Sequence, residues 1–273
     1  MKYVFLLFCL LLLFPLYWMI SLSFQDVRGV LHLPPNIVPK RVTLINYERI
    51  AADSRLLRWA ANSIIVTTGA LAISLSSTVM AAWAFAVYRF RGRQLIYWAF
   101  IASLMIPAYS LMISRFVLVR YMGMINTWWP LMMMGACSPV AIILFIKYFK
   151  KIPEALADSA RIDGLSELGI LFRIILPQCM PLIGYTIITT YIGMFAEFIW
   201  PLLLLMDRRK WTLCLGVTKF ITEYYSRYGK AGADVLVGIS QAGGTLLFLP
   251  PLIIFIAFRK TFRKQFLAGG VKE

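Results

Sequence analysis

The sequence predicts an all-α integral membrane protein with about six transmembrane helices, and three observations lead there. Of the 273 residues, 60% are apolar and only 15% are charged, where a soluble domain carries about a quarter charged residues. The apolar residues gather in six runs, at about 3–24, 60–88, 95–118, 128–148, 182–205 and 234–258, each near the roughly 20 residues a helix needs to cross the hydrocarbon. Lysine and arginine collect in the segments between the runs, as contacts with anionic headgroups require. A chain of this size cannot build a core large enough to hide so much apolar surface. The runs are too long for strands, and a helix satisfies its own backbone in lipid.

The first run, Tyr3–Ile20 after Lys2, could be a secretory leader, with Ser21 and Ser23 as small residues at a conceivable cleavage point. It is longer than the apolar region of a usual leader and further spanning runs follow, so it reads as an uncleaved first helix beginning almost at the chain start. Phe8 stands before Cys9 where a lipidation signal needs a small residue. The second run is rich in small residues, among them Gly69, Ala70, Ser74 and Ala82, which lets helix backbones approach closely. In the third, Arg115, with Arg120 just beyond, lies near the outer end and is expected to snorkel. The sixth contains Gly238, Gly243, Gly244 and then Pro250-Pro251. Two consecutive lost donors predict a kink there.

Five connections separate the runs. Residues 25–59 carry Pro34, Pro35 and Pro39, and no helix is expected among them. A tight turn, Arg89-Phe90-Arg91-Gly92-Arg93, joins the second and third runs, and 119–127 is short. Segment 149–181 has its own pattern, 206–233 holds Arg208-Arg209-Lys210, Tyr224-Tyr225 and Gly229, and the tail from Arg259 is basic. With the N-terminus inside, 14 of the 28 basic residues fall in cytoplasmic segments, so counting alone does not orient the chain. The two densest clusters, Arg89–Arg93 and Arg259–Lys264, put both termini in the cytoplasm.

The formal charge of +16 forms no continuous basic stripe, so nucleic acid is not an expected partner. Cys9, Cys137, Cys179 and Cys214 contain no CxxC pair, and His32 is the single histidine. This leaves no disulfide framework, zinc site or nucleophilic triad. No G-x-x-x-x-G-K-[ST] sequence is present. The chain is expected to be neither an enzyme nor its own ATPase, with no cofactor or metal of its own.

Residues 150–181 read KKIPEALADSARIDGLSELGILFRIILPQCMP. Pro153 suits a helix start, and Ala155, Leu156, Ser159, Ala160 and Ile162 form a small-to-apolar face on the helix that follows. Gly164 breaks that helix where a left-handed backbone costs least. Ser166 can cap a second helix, which Pro177 and Pro181 end. The pattern predicts a helix–Gly–helix elbow on the membrane surface.

This segment resembles the "EAA" loop of ABC importer permeases, in which E-A-A is followed by Gly six residues after the Glu and then by I-x-L-P. Asp158-Ser159-Ala160 stands for E-A-A, Gly164 is in register, and Ile174, Leu176 and Pro177 supply I-x-L-P. Arg161-Ile162-Asp163-Gly164 matches the R-I-D-G form of the carbohydrate, maltose-importer-like branch. Asn46-Tyr47, Asn62-Ser63, Asn126-Thr127, Trp200-Pro201-Leu202 and Ala268-Gly269-Gly270-Val271-Lys272 also fit that branch, so the likeness covers nearly the whole chain. One departure stands out: Phe195-Ala196 precedes Glu197 where the family often has W-N.

The resemblance implies a permease subunit of an ATP-driven sugar importer in a bacterial inner membrane. It further implies a second homologous permease, two ATPase subunits carrying ATP and Mg, and an extracytoplasmic solute-binding protein. Small residues at Ser159 and Ala160 would let the elbow seat in an ATPase groove, with Arg161 and Asp163 orienting it by ion pairing. An amphipathic helix that only covers the bundle is the alternative. Glu197 lies about 15 residues into the fifth run, where an acid is costly unless it faces the bundle or water. It is either part of a substrate path, with Phe195 close by, or a structural partner of an Arg such as Arg115. Ser110, Thr190 and Tyr191, with Tyr109, Ser114 and Thr189, offer hydroxyls to a polyhydroxylated ligand. A self-sufficient carrier or channel would need repeat halves with broken helices and midplane charges, and neither is legible in the sequence. A membrane scaffold without transport is the third class.

Overall fold

A computed structural model describes residues 2–26, 37–228 and 233–269. His32, Pro34, Pro35, Gly229 and the terminal Gly270-Val271-Lys272 lie outside them. Among the described residues the chain is helical with no strand, as the composition requires. The helices are α1 (Lys2–Ser23), α2 (Ile45–Ala51), α3 (Leu56–Val87), α4 (Arg93–Ser103), α5 (Met112–Tyr121), α6 (Trp129–Met133), α7 (Pro139–Phe149) and α8 (Glu154–Ile162). They continue as α9 (Glu167–Gln178), α10 (Met180–Ala196), α11 (Ile199–Leu204), α12 (Leu213–Tyr228) and α13 (Ala233–Gly269).

Three helices are by themselves long and apolar enough to cross a membrane, over Tyr3–Ser23, Leu56–Val87 and Val235–Ala257. The other three apolar runs are broken, against the expectation of continuous helices, and in each a proline sets the break. Ile106 precedes Pro107 and so disfavours helical backbone; the chain turns 102° between Arg93–Ser103 and Ala108–Tyr121. Ser138 is extended before Pro139, and its Oγ accepts from the Ala141 N–H to start α7. Pro201 has no hydrogen for the Glu197 carbonyl four residues earlier, and α10 gives way to α11 at Glu197-Phe198. By contrast, α13 continues through Pro250 and Pro251 without a break in the helix.

The chain forms two compact units. The first comprises Met1–Ser63, Phe195–Leu202 and Asp207–Ile253. Its core gathers Ile50, Ile239 and Ala242, flanked by Phe220, Ile221 and Tyr224. Two polar clamps fix it. Asn46 donates from Nδ2 to the Ser23 and Gln25 carbonyls at 3.1 and 2.7 Å, closing the end of α1. Asn62 donates to the Arg209 and Trp211 carbonyls at 2.8 and 2.9 Å, Trp59 Nε1 donates to the Arg208 carbonyl, and Ser63 Oγ accepts from the Leu213 N–H. Both clamps hold irregular backbone that would otherwise be unsatisfied. One sequence expectation fails: the connection 25–59 is not free of helix. Segment 25–59 contains α2, because its prolines lie upstream of Ile45. Segment 206–233 contains α12, whose Leu213, Val217, Phe220 and Tyr224 repeat with helical spacing.

The second unit comprises Ile64–Met194, Leu203–Met206 and Ile254–Glu273. Its core joins Val79, Ala82, Trp83 and Phe85 of α3 with Ile142, Phe145 and Phe149 of α7 and Ile170, Leu171 and Ile175 of α9. Trp83 meets Phe149 edge-on at 5.9 Å between ring centroids, a geometry that the ring quadrupoles favour. Asn126, in left-handed backbone at φ 60°, donates its N–H to the Leu204 carbonyl and accepts at Oδ1 from the Met206 N–H.

Close approach at Gly216 defines the first unit. A Cβ there would lie 2.2 Å from Cδ2 of the buried Trp59 ring, and that ring is pinned by its bond to Arg208. Gly216→Ala is expected to lower stability by about 1–3 kcal/mol. Thermal unfolding of the purified protein checks this; an unchanged melting temperature refutes it.

Candidate functional site

The elbow is built by local rules. Pro153 (φ −58°, ψ 130°) opens α8, and Glu154 sits in its first turn, where the helix dipole favours an acid. At the other end Leu165 N–H reaches the Ala160 carbonyl and Gly164 N–H the Arg161 carbonyl, both at 3.0 Å. With Gly164 at φ 79°, this pair of bonds is a Schellman cap. Ser166 then starts α9, its Oγ accepting from the Gly169 N–H at 3.2 Å. The sequence thus dictates helix, left-handed glycine, cap and helix within 25 residues.

Packing decides which way the elbow faces. Ala157 and Ala160 are buried in the second unit's core, so Ala160 seats α8 on the chain's own core and is not available to a partner's groove. Asp158, Ser159, Arg161, Asp163, Gly164 and Pro177 are exposed. Leu156, Leu168 and Phe172 are exposed beside them, and Ile162 is 87% exposed. Ile174 and Leu176 are half-buried against the core.

Arg161 spans the bend. Its Nε donates to Glu167 Oε1 at 2.8 Å and its Nη1 to Asp158 Oδ1 at 2.7 Å. The Glu167 hydrogen bond, with that group's charge and the Asp158 contacts, raises the guanidinium pKa against an opposing desolvation. Among the described residues Asp163 forms no ion pair within the chain. Glu167 pairs with Arg161 from three residues beyond the glycine, where sequence reading assigned it nothing. An exposed pair of this kind adds little stability, but it ties the two arms of the elbow to each other.

Pro177 does not end α9 at once. A π turn over Leu171–Ile175 precedes it, with the Leu176 N–H bonded to Leu171, five residues back. That wider turn carries the helix past the missing proline donor. Tyr148 OH donates to the Gln178 carbonyl at 3.1 Å, tying α7 to the end of α9. The chain then bends 82° into α10.

The expected ligand-path residues are distributed along α10 and near α5. Thr190 and Tyr191 are half-buried on α10, and the Tyr191 hydroxyl lies 3.0 Å from Thr68 Oγ1. Ser110 is exposed in a short 3₁₀ turn (Ala108–Leu111) and donates to the Pro107 carbonyl at 2.7 Å. Thr189 likewise donates to the Tyr185 carbonyl, so these two hydroxyls satisfy helix backbone. Phe195 is buried. Glu197 is half-buried at the α10–α11 break, where its Oε1 accepts from the Trp200 N–H at 3.1 Å. Glu197 therefore caps a helix, a role suggested by neither of the sequence alternatives.

A second feature lies in the first unit, a cleft of about 570 Å³ whose walls include Arg49, Asp53, Arg55, Glu223, Tyr224 and Arg227. A bidentate contact from Arg55, 2.6 Å at its shortest, holds the Asp53 carboxyl below its usual pKa against partial desolvation.

A family model described as "Binding-protein-dependent transport system inner membrane component" matches residues 73–265. The arabinooligosaccharides transport system permease protein AraQ of Bacillus subtilis is 31% identical over 271 residues, covering 98% of this chain and 93% of that one. The galactooligosaccharides transport system permease protein GanQ of the same organism is 31% identical over 284 residues, covering 99% and 97%. Among solved structures, a chain of a bacterial ABC transporter involved in the import of the acidic polysaccharide alginate superposes with a TM-score of 0.83. It is 24% identical, with 96% of this chain and 94% of that one covered, a likeness that speaks for the fold.

The capping role of Glu197 has a measurable consequence. Glu197→Ala is expected to cost about 1 kcal/mol of stability, while Glu197→Gln keeps an accepting oxygen and most of that stability. Unfolding midpoints of the two purified variants test it, and equal loss in both would remove the cap assignment.

Proposed function

The chain belongs to the family of binding-protein-dependent transport system inner membrane components, and on that premise we propose that it is the permease subunit of an ATP-driven importer for a sugar or related polyhydroxylated solute. The observation that carries the reading is near-full-length likeness to permeases of two oligosaccharide systems. ATP hydrolysis belongs to partner subunits, consistent with a sequence that has no phosphate-binding loop. The working assembly is proposed to hold this chain, a second homologous permease, two ATPase subunits with ATP and Mg, and an extracytoplasmic solute-binding protein.

Within that assembly the exposed side of the elbow, Asp158, Ser159, Arg161, Asp163 and Gly164 with Ile162 at its crest, is the proposed contact with the ATPase. Ile174, Leu176 and Pro177 link it to α10. Three features support this: the elbow is rigidified at both helix ends, it is seated on the core through Ala157 and Ala160, and it leads through one bend into α10. A displacement of the elbow would therefore move α10, which carries Thr190, Tyr191 and Phe195 and ends beside Glu197. These residues with Ser110 are the proposed ligand path. The charged cleft around Asp53 and Arg227 falls in segments proposed to face outward, toward the binding protein. Broken helices are also what a self-sufficient carrier would have. With three broken runs here, that feature does not separate the classes, and the family match does.

Both termini, residues 89–93 and residues 149–181 are proposed to face the cytoplasm. Gly164→Pro should reduce ATP-driven uptake to background with membrane insertion unchanged, because a left-handed position closed to proline is lost and no spanning residue is touched. Normal uptake by that variant would end the docking assignment. Cysteine placed at Ser166 should stay unlabelled by an impermeant thiol reagent on intact cells and react after permeabilisation. Labelling of intact cells would invert the topology.

A further inference from the structure

A cleft of about 810 Å³ opens in the second unit where the end of α3, the turn after it, the start of α4 and the last turns of α7 meet. Three cations line it, Arg93, Lys147 and Lys150, and among the described residues no acidic side chain does. Lys147 lies in the last turn of α7 and Lys150 caps its C-terminal end in helical backbone, three residues on, so the two share one face. Both are exposed, and neither forms an ion pair among the described residues. Arg93 is held in place by a 2.6 Å bond from Nη2 to the Phe85 carbonyl, which leaves other guanidinium donors free to turn to a ligand. Like charges gathered without a counter-charge repel one another, and a bound anion relieves that repulsion. Lys150 also borders a neighbouring cleft that carries Glu154 and Asp158; Arg93 and Lys147 do not.

The surroundings of the cleft select the kind of anion. Tyr97 and Phe90 form part of its wall, and Tyr88, Leu95, Ile96 and Trp98 are exposed nearby. Aromatic and aliphatic groups beside lysines are the composition of a membrane–water boundary. A small soluble anion has no use for them, whereas a lipid presents its chains to the apolar groups and its phosphate to the cations.

We propose that this basic cleft binds a phosphate-bearing anion, and that its source is the headgroup of an anionic phospholipid in the cytoplasmic leaflet. The site goes beyond the transport role and rests on it only for the cytoplasmic placement of the Arg89–Arg93 turn. Lys150 stands three residues before Pro153, so an occupied cleft would brace the base of the elbow.

The test uses the whole importer complex in nanodiscs of phosphatidylcholine, alone or with phosphatidylglycerol, with bound lipid counted by native mass spectrometry. The wild type should retain one phosphatidylglycerol through delipidation, and Lys147→Gln/Lys150→Gln should bind it roughly 30-fold more weakly, the scale of two basic residues at an anionic surface. Lys147→Gln alone should weaken it roughly 5-fold, which keeps the proposal testable if the double variant assembles poorly. Equal retention by wild type and variants overturns the site. In a second arm, inorganic phosphate is added to complexes in phosphatidylcholine alone while amine-reactive labelling of Lys150 is followed. No protection supports the headgroup as the source; protection equal to that given by phosphatidylglycerol overturns it in favour of a soluble phosphate. ATP-driven uptake is measured alongside. Absence of uptake in both lipids would count against the transport reading, while the lipid count decides the cleft.

Discussion

A backbone in hydrocarbon has no water to bond, so each N–H and C=O at a helix end must find a partner within the protein. Each failure costs several kcal/mol, while a single packed atom pair contributes only about 0.1–0.2 kcal/mol. The breaks in this chain are shaped by that disparity. In two of the three interrupted runs a polar side chain stands at the break, Ser138 at the start of α7 and Glu197 before α11, and Ser166 does the same at the start of α9 in the elbow. Where irregular segments meet helices, Asn46, Asn62, Ser63 and Asn126 do the same over longer distances. Three of the asparagine-containing pairs that mark the family resemblance thus contain clamps on backbone carbonyls or N–H groups.

With its ends satisfied, the elbow is a rigid body. The Schellman cap and the Ser166 cap set the angle between α8 and α9, and Arg161 ties the arms through Asp158 and Glu167. Ala157 and Ala160 seat it on the aromatic cluster of Trp83, Phe145 and Phe149. The π turn ahead of Pro177 lets α9 reach Gln178 before the chain bends. In the proposed role this geometry transmits motion, because a body held at both ends moves as a whole instead of fraying.

Close packing supplies the rest of the order. Helices in lipid gain no hydrophobic drive from meeting each other, so small residues that admit a large neighbour become valuable. Gly216 receives the Trp59 ring, Gly238 the Asn46 amide and Gly69 the flexible Met132 thioether. At Gly238 the close approach and the clamp share one residue, which joins the packing of α13 to the closure of α1.

The sequence by itself determined the all-helical membrane class, the limits of the elbow, the left-handed glycine at 164 and the cap at Ser166. Each depends on composition or on bonds within a few residues. The broken runs were not legible although Pro107, Pro139 and Pro201 were in view, because mean hydropathy counts apolar residues and takes no account of a missing donor. Tertiary structure alone decided that Ala160 faces inward while Ser159 faces outward, since both satisfy the same small-residue pattern and only the neighbouring core separates them. It also decided that Arg161 pairs with Glu167, because the turn at Gly164 brings that acid within reach. Glu197 followed the same logic: read along the chain it is a costly charge in an apolar run, and only the break imposed by Pro201 exposes the N–H group of Trp200 that its carboxylate binds.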